Sequence, residues 1–434
     1  MASLKAHGDM FWLLLDAINT LFTLSARADR VRSAMPLRQA RTDGERLVKI
    51  VKVECLPVHP GWRKNLVFVR VETSDGVVGW GEAYSQYDRD GAIAAQVESL
   101  GQYLVGREAW NIRHFLQIAY DDYAQRRASL EFWCAVSGLE QALWDIAGKV
   151  ANQPVYNLLG GTCRQKIRVY ANGWSYKMSS PADFAAAAEK VVRQGFDALK
   201  FDPLPRPWRT HVPREHIRQA VAVVKAVRDA VGPKVDLLLD IHRRLSPTAA
   251  IALSRAVQEF DIYWFEEPCP SENLEAIGEV RRATEIPVVA GEALYGRADF
   301  RRLLGARCVD IINPDVSNCG GILELSHIAA AAEAELVAVS PHNYNSTTLS
   351  LSATVHAAAC MPNFIITEYF LPYESFGGVV SRNPLVPKNG YIDLPTEPGL
   401  GLEILEDVVR AHPGKSYTPR TFRVAEDAVV AGVE

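Results

Sequence analysis

The chain has 434 residues, of which 48% are hydrophobic and 23% are charged, and its formal net charge is −4. This length suits one large domain and a smaller one, because a single hydrophobic core stops growing at about 250–300 residues. The small net charge and the interspersed acidic and basic residues argue against a nucleic-acid surface or an anionic membrane surface. We therefore expect a small-molecule partner.

The cysteines and one apolar run bear on the compartment. The seven cysteines are scattered without CxxC spacing, which argues against a disulfide framework or a zinc site and favours a reducing, cytoplasmic location. Residues 10–26 form an apolar run typical of a signal peptide, but Asp16 and Asn19 interrupt it and basic residues follow it. We expect residues 1–45 to be an amino-terminal extension. No other run has the ~20 uninterrupted apolar residues of a membrane-spanning helix.

Residues 46–165 have the pattern of a small α+β unit. Apolar and polar residues alternate on both sides of Ser74, Asp75 and Gly76, which predicts a β-hairpin that turns at these residues. Residues 91–160 are helical in pattern. In residues 130–150, for example, apolar side chains recur at every third or fourth position.

Residues 166–385 alternate between short apolar runs and helical stretches. Eight strand-like runs occur, from RVYANGW at residue 168 to FIITEY at residue 364, and Ser180, Pro181 and Asp183 mark the start of the first helix. Eight βα units in roughly 210 residues predict a closed (β/α) barrel, because an open sheet usually has fewer strands and a GxGxxG turn. Residues 386–434 leave this rhythm, and we expect them to return to the first unit.

Polar side chains occupy the last position or two of these runs. From Asp240 onward they are separated by 26, 26, 23, 27 and 26 residues, which is about one βα unit each. Because active sites of the TIM barrel lie at the carboxyl ends of its strands, we expect these side chains to surround one end of the barrel. The predicted ring consists of Lys200, Asp202, Asp240, His242, Glu266, Glu292, Asp315, His342 and Glu368.

Three acids of this ring, Asp240, Glu266 and Glu292, follow adjacent strands. Glu267 should face away from them, because side chains alternate along a strand. Three carboxylates aimed into one mouth repel each other unless a cation lies among them. Oxygen-only ligands favour Mg²⁺, with Mn²⁺ as a possible substitute. We predict a metal site here, and the alternative is that each acid is a solvated loop start or a salt-bridge partner.

Two histidines of the ring are candidates for proton transfer. A carboxylate that accepts from one imidazole nitrogen raises the basicity of the other, so Asp315 and His342 on consecutive strands predict a general base. His242 lies two residues after Asp240 and should face the same side of the barrel. It could donate a proton to a leaving group, or it could only support the metal ligands.

Lys200 and Glu368 complete the predicted catalytic set. Lys200 could hydrogen-bond a substrate carboxylate, or it could neutralise the acids as a structural ion pair. Glu368, if its crowded surroundings keep it protonated, could donate to a developing oxyanion. Its alternative role is a salt bridge at the rim.

Six segments resemble the mandelate racemase branch of the enolase superfamily, which uses a Lys or His base with Mg²⁺ to stabilise an ene-diolate. The likeness covers about residues 47–405 and rests on GWGEAY (79–84), ALWDIAGK (142–149), FEEP (265–268), GE (291–292) after IPVV, NPDVSNCGGI (313–322) and EPGLG (397–401). The resemblance implies an α/β fold, a modified TIM barrel with a capping domain built from the amino-terminal α+β unit and the carboxyl-terminal tail.

Within this branch, racemases typically carry K-x-K on the second barrel strand, and the second lysine is one of two opposed bases. Here the stretch is LKFD, so Lys200 matches the first lysine and Asp202 takes the second position. Asp-x-His on the third strand, together with Asp315 and His342, resembles sugar-acid dehydratases of the galactonate type. Asn313 departs from the Gln that precedes Pro-Asp in that relative.

The resemblance implies a Mg²⁺-dependent lyase that removes the α-proton of an aldonate or aldarate. Elimination of the β-hydroxyl would then give a 2-keto-3-deoxy sugar acid. The alternatives are a racemase or epimerase of a hydroxy acid on the same site, or a non-catalytic protein that binds sugar acids. We expect a small-molecule carboxylate substrate, no nucleic-acid or membrane partner, and a homo-oligomer.

Overall fold

The structure, a computed structural model, describes residues 48–205 and 210–417. The predicted amino-terminal extension and the last residues of the predicted carboxyl-terminal segment lie outside these ranges. The described part begins with a three-stranded antiparallel sheet of β1 (Ile50–Val58), β2 (Leu66–Thr73) and β3 (Val78–Ala83). The predicted hairpin is confirmed, because β2 and β3 pair across a turn in which the Gly76 N–H donates to the Thr73 carbonyl.

Four helices follow this sheet: α1 (Asp90–Gly101), α2 (Ile112–Ile118), α3 (Leu130–Ala151) and α4 (Val155–Leu158). A π-helical turn, Ala119–Tyr123, continues from α2. The long helix α3 begins where Ser129 accepts the Phe132 N–H and ends at Asn152 in a left-handed conformation. It packs closely on β3, where a side chain at Gly81 would clash with the Gly138 carbonyl. Glycine at position 81 of the GWGEAY segment therefore permits the close contact between helix and sheet.

The eight predicted barrel strands are confirmed, and consecutive strands are parallel neighbours. The last strand returns to pair with the first, and the Ile365 N–H donates to the Val339 carbonyl at 3.0 Å to close the ring. The strands are β4 (Lys166–Asn172), β5 (Ala198–Phe201), β6 (Asp236–Asp240), β7 (Ile262–Glu266), β8 (Val288–Ala290), β9 (Ile311–Ile312), β10 (Ala338–Val339) and β11 (Thr367–Phe370).

Helices connect these strands on the outside of the barrel. The first begins with the predicted capping box, in which Ser180 and Asp183 each accept the other's backbone N–H. Short 3₁₀ turns lie at Gln258–Phe260 and Leu371–Tyr373. The helices are α5 (Pro181–Arg193), α6 (Arg214–Val231), α7 (Pro247–Val257), α8 (Leu274–Ala283), α9 (Gly296–Gly305), α10 (Ile322–Ala334), α11 (Thr348–Ala359) and α12 (Glu374–Val380).

Side-chain alternation divides the barrel core into two layers. Leu237 and Leu239 face the surrounding helices, whereas Leu238 and Trp264 belong to a separate cluster inside the ring of strands. The same alternation turns the last residues of β6 and β7 toward the interior at the carboxyl end of the barrel. The strand register therefore positions the predicted ring.

The described part of residues 386–417 contacts both the barrel and the first sheet. Strand β12 (Tyr391–Asp393) pairs antiparallel with β4, and helix α13 (Glu406–Arg410) follows it. Glu406 accepts from Arg70 of β2 at 2.9 Å, and the Gly414 N–H donates to the Pro57 carbonyl at 2.8 Å. Within the described ranges, no helix is both long enough and apolar enough to cross a bilayer.

His356 in α11 links the barrel to α4, and we expect it to make the free energy of unfolding sensitive to acid. Its buried ring accepts the Tyr156 N–H at 3.2 Å, and burial lowers its pKa from 6.5 to about 4. Between these values the unfolded chain binds more protons, so this contribution is complete above pH 6.5 and is lost as the pH falls. From about pH 7 to about pH 5, the unfolding free energy of wild type should fall about 2 kcal/mol more than that of His356→Gln.

Chemical denaturation at the two pH values measures this difference. His211→Gln, at an exposed histidine, serves as the matched control and should keep the wild-type pH dependence. An identical pH dependence in wild type and His356→Gln would contradict a neutral, buried His356.

Candidate active site

The three predicted metal-binding carboxylates meet at the carboxyl end of the barrel. Asp240 and Glu266 are the last residues of β6 and β7 and lie opposite each other in the strand register. Glu292 follows β8, and one oxygen from each of the three side chains lies within 4.8 Å of the others. Hard oxygen donors at this spacing fit a divalent cation.

Lys200 of β5 is a cation that contacts this cluster directly. Its Nζ lies 2.8 Å from Glu266, 3.4 Å from Glu368 and 3.6 Å from Asp240, and the side chain is fully buried. Burial alone would lower the pKa of Lys200, but the surrounding carboxylates raise it well above its usual value. The ammonium form therefore persists inside the barrel.

Glu266 lies at the centre of the cluster. Burial raises its pKa to about 8, Lys200 opposes that shift, and the charge of Asp240 adds to it. Trp264 donates to Glu266 at 2.9 Å and Asn313 donates at 3.0 Å. Asn313, two residues before Asp315, thus orients this carboxylate.

Glu267, the second acid of the YWFEEP stretch, faces away from the cluster as predicted. It is fully buried and accepts from the Gly291 N–H and the Ser271 hydroxyl, each at 2.8 Å. Its backbone is left-handed, with φ 48°. Glu267 therefore fixes the loop after β8, from which Glu292 projects.

Asp315 and His342 lie side by side, as their positions on consecutive strands predict. The Asp315 Oδ2 atom lies 2.7 Å from His342 Nδ1, and the Ser317 N–H holds the other oxygen at 2.8 Å. His342 Nε2 lies 3.0 Å from Glu292. Burial lowers the pKa of His342, but Glu292 and Glu368 raise it well above its usual value. The Nε2 atom thus faces the carboxylate cluster.

Asp240, Glu266 and Glu292 form what we call the carboxylate row. His242 lies at the end of this row opposite His342. Its Nε2 is 3.6 Å from Asp240, and its Nδ1 is 3.4 Å from Asp202. Burial lowers the pKa of His242, but the two carboxylates outweigh burial and raise it. The next residue, Arg243, is an ion-pair partner of Glu292 that the sequence analysis missed. The sequence did hold one indication of this role, because Arg243 directly follows His242, a member of the predicted ring of polar residues.

Glu368 joins the ring from β11. Asn172 donates to it at 2.6 Å and the Tyr170 hydroxyl donates at 3.2 Å. Burial raises the pKa of Glu368, but Lys200 and His342 outweigh burial and lower it. These contacts favour the carboxylate over the protonated form that donation to an oxyanion requires. Tyr170 and Asn172 were missed, although they obey the same rule of polar residues at a strand end.

Residues from loops of the first sheet and from the loop after β10 lie beside His342. The rings of Tyr84 and Tyr344 are 6.4 Å and 6.1 Å from the His342 ring. Lys64 is buried against the Tyr84 ring and bonded to the Ser85 carbonyl, and burial lowers its pKa to about 7. Arg63 donates to the Tyr344 hydroxyl. The site is therefore lined by both the barrel and the first α+β unit.

The fold and the ring define a barrel enzyme of the enolase superfamily. Residues 48–160 match the family model described as mandelate racemase / muconate lactonizing enzyme, N-terminal domain, and residues 183–408 match the one described as enolase C-terminal domain-like. The chain belongs to the mandelate racemase / muconate lactonizing enzyme family.

Relatives and solved structures agree with this assignment. A D-galactonate dehydratase of Pectobacterium atrosepticum is 32% identical and covers 88% of this chain and 99% of its own length. A D-gluconate dehydratase of Thermoproteus tenax is 34% identical and covers 85% of this chain and 73% of its own. A crystal structure of a mandelate racemase/muconate lactonizing enzyme from Sulfitobacter sp. superposes with a TM-score of 0.80 at 34% identity, covering 86% and 97% of the two chains. Dehydratases of this kind are hydro-lyases.

Removing the Lys200 charge should destabilise the protein strongly. Lys200→Met leaves three buried carboxylates without the ammonium that contacts them. Breaking a buried ion pair by deleting one partner costs about 3–5 kcal/mol, so unfolding free energy in a chelating buffer should fall by about that amount. Chemical denaturation measures it.

The matched control is Lys225→Met, which removes a lysine from the exposed pair with Asp229. That change should cost little, because exposed ion pairs contribute weakly. Equal losses of unfolding free energy in the two variants would contradict an ionised Lys200 that compensates the charge of the buried carboxylates.

Proposed function

We propose that this protein is a sugar-acid dehydratase that converts an aldonate or aldarate to a 2-keto-3-deoxy sugar acid. The observation that carries the proposal is the pair of histidines at opposite ends of one carboxylate row, His342 beside Glu292 and His242 beside Asp240. Loss of water needs one group that removes the α-proton and another that protonates the leaving hydroxyl. The names of the relatives support this class of reaction.

Asp240, Glu266 and Glu292 would hold a Mg²⁺ ion, for which Mn²⁺ is a possible substitute. Their donor set of three clustered carboxylate oxygens suits a hard divalent cation that keeps positions for other oxygen ligands. When bound, the ion would polarise the substrate carboxylate and offset the negative charge that develops on it after the α-proton is lost.

His342 would remove the α-proton through Nε2 in its neutral form, which a cation held by Glu292 would favour by offsetting the negative charge that raises the pKa of the imidazole. Asp315 accepts the Nδ1 proton, fixes the tautomer and raises the basicity of Nε2. Lys200 would hydrogen-bond the substrate carboxylate as its charge grows, because its ammonium is held in the same cluster. Glu368 would hold Lys200 in place, because its carboxylate accepts from it.

His242 would protonate the departing β-hydroxyl. Its ring borders the row on the side opposite His342, and about a quarter of its side chain, 27%, is exposed, so that solvent can return the proton. The enol that remains would tautomerise to the 2-keto-3-deoxy acid. These residue roles are proposals drawn from the geometry and the family resemblance.

Epimerisation is the second candidate, because two histidines on opposite sides of one carbon could also exchange its proton. The K-x-K lysine that serves as the opposed base in racemases is absent, and Asp202 at that position is bound to Arg244. Dehydration is therefore favoured. A homo-oligomer and a cytoplasmic location stay predictions from the sequence.

A screen of aldonic and aldaric acids with Mg²⁺ tests the reaction class. We expect one or a few sugar acids to give a 2-keto-3-deoxy product, measured by semicarbazide or periodate–thiobarbiturate assay. Deuterium at C2 in D₂O without a keto product would favour epimerisation. Tight Mg²⁺-dependent binding without turnover of any acid would support a non-catalytic relative instead.

His342→Asn tests the base. Dehydration should fall by about 10²–10⁴-fold, because a positioned general base contributes that much. Mg²⁺ binding, measured by calorimetry or by the shift in melting temperature, should persist, because His342 is not among the three ligands. Glu266→Gln is the matched control, in which Mg²⁺ binding itself should weaken. Wild-type turnover by His342→Asn would refute the assignment.

A further inference from the structure

Asp202, which replaces the second lysine of the K-x-K pattern, is held in an unusually defined position. Each of its carboxylate oxygens lies 2.6 Å from one guanidinium nitrogen of Arg244, and Oδ1 also accepts the Leu204 N–H at 3.0 Å. Only 5% of the Arg244 side chain is exposed. Such a two-point contact fixes both the place and the plane of the carboxylate.

The same carboxylate faces His242. The chain turns sharply after β6, where His242 and Arg243 have φ 55° and φ 60°, and this turn brings both His242 and Arg244 against Asp202. Asp202 Oδ2 lies 3.4 Å from His242 Nδ1, while His242 Nε2 points along the carboxylate row, 3.6 Å from Asp240.

The arrangement parallels the one at the opposite end of the row. There, too, an aspartate lies against Nδ1 of a histidine, and Nε2 lies against one of the three clustered carboxylates. Two features differ. The distance from Nδ1 to Oδ2 is 3.4 Å at Asp202 and 2.7 Å at Asp315, and Asp202 carries a bidentate arginine, whereas Asp315 accepts from the Ser317 N–H. The fully formed ion pair between Asp202 and Arg244 opposes proton transfer from the imidazole to Asp202.

Resting on the proposed dehydratase function, we propose that Asp202 is a positioning residue for the elimination step. It accepts the Nδ1 proton of His242 and so aims the Nε2 proton at the departing β-hydroxyl. Arg244 holds Asp202 in place for this purpose.

The bonds in the step balance without a further reactant. His342 takes the α-proton, and the electron pair of that C–H bond moves into the substrate carboxylate as an enediolate. That pair then returns to form the C2–C3 double bond. The C3–O bond breaks with its electron pair moving to oxygen, which takes the Nε2 proton of His242 and leaves as water. Tautomerisation then moves a proton from the enol to C3. At the second K-x-K position, where racemases have a lysine base, this chain thus has an aspartate that supports the general acid His242.

The proposal predicts that removing the Asp202 charge separates two events that wild type couples. In Asp202→Asn, formation of 2-keto product should fall by about 10–100-fold, as for other partners that orient a reacting group. Exchange of the C2 proton with D₂O, followed by NMR of the remaining substrate, should still occur because His342 is intact. His342→Asn should lose both signals, and His242→Asn should keep exchange. An equal fall of exchange and product formation in Asp202→Asn would overturn the proposal.

Two further readouts respond to this role and not to a structural one. In a His242→Asn background, Asp202→Asn should add little further loss, because its target is gone. A 3-deoxy-3-fluoro substrate should narrow the gap between wild type and Asp202→Asn, because fluoride needs less proton assistance to leave. Two results would overturn the positioning role of Asp202. One is a full additional loss of product formation in the double variant, and the other is an unchanged rate difference between wild type and Asp202→Asn with the fluoro substrate.

Melting curves confirm that each variant is folded. If Asp202→Asn does not fold, Arg244→Lys provides the test, because it keeps the positive charge but loses the bidentate contact. It should show the same selective loss of elimination, and parallel loss of exchange would again overturn the proposal. Wild type that dehydrates no sugar acid would overturn the proposed function itself, whereas failure of this inference would leave wild-type dehydration intact.

Discussion

The mutual repulsion of Asp240, Glu266 and Glu292 is the constraint on which the rest of the site depends. Carboxylate oxygens within 4.8 Å of each other are unfavourable where water is excluded, unless cations compensate for them. The barrel imposes the arrangement, because parallel strands in fixed register bring their last inward-facing residues together. Lys200, on the neighbouring strand β5, offsets part of this negative charge at Glu266. Arg243 and His342 offset another part at Glu292.

Compensation of charge also determines what the two histidines can do. Each has one ring nitrogen facing an aspartate and the other facing the carboxylate row. Their partners differ in burial: Asp315 is fully buried, while 22% of the Asp202 side chain is exposed. A buried pair suits removal of a proton from a bound substrate, and a partly exposed pair suits a donor that solvent must recharge. The asymmetry of the site therefore agrees with an elimination better than with the symmetrical exchange of an epimerase.

Much of this could be predicted from the sequence, because the barrel repeats. One polar position per βα unit locates the ring, and alternation along each strand separates Glu266 from Glu267. The contacts that spacing cannot predict lie in the loops. Arg243 and Arg244 are adjacent in sequence but bind Glu292 and Asp202 respectively, because left-handed backbone at His242 and Arg243 sends the two side chains apart. Positive φ at a non-glycine residue is uncommon, and the alternation of polar and apolar residues does not predict it.

We propose that the substrate is determined by a different part of the molecule from the reaction. Proton removal and loss of water involve only the carboxylate end of a sugar acid, so the same ring of residues can serve acids that differ farther along the chain. Two dehydratase relatives are named for different sugar acids, D-galactonate and D-gluconate. Around the base, Tyr84 and Arg63 come from loops of the first α+β unit, and Tyr344 comes from the loop after β10. These loops do not carry the charge balance of the ring, and we propose that selectivity for one sugar acid depends on them.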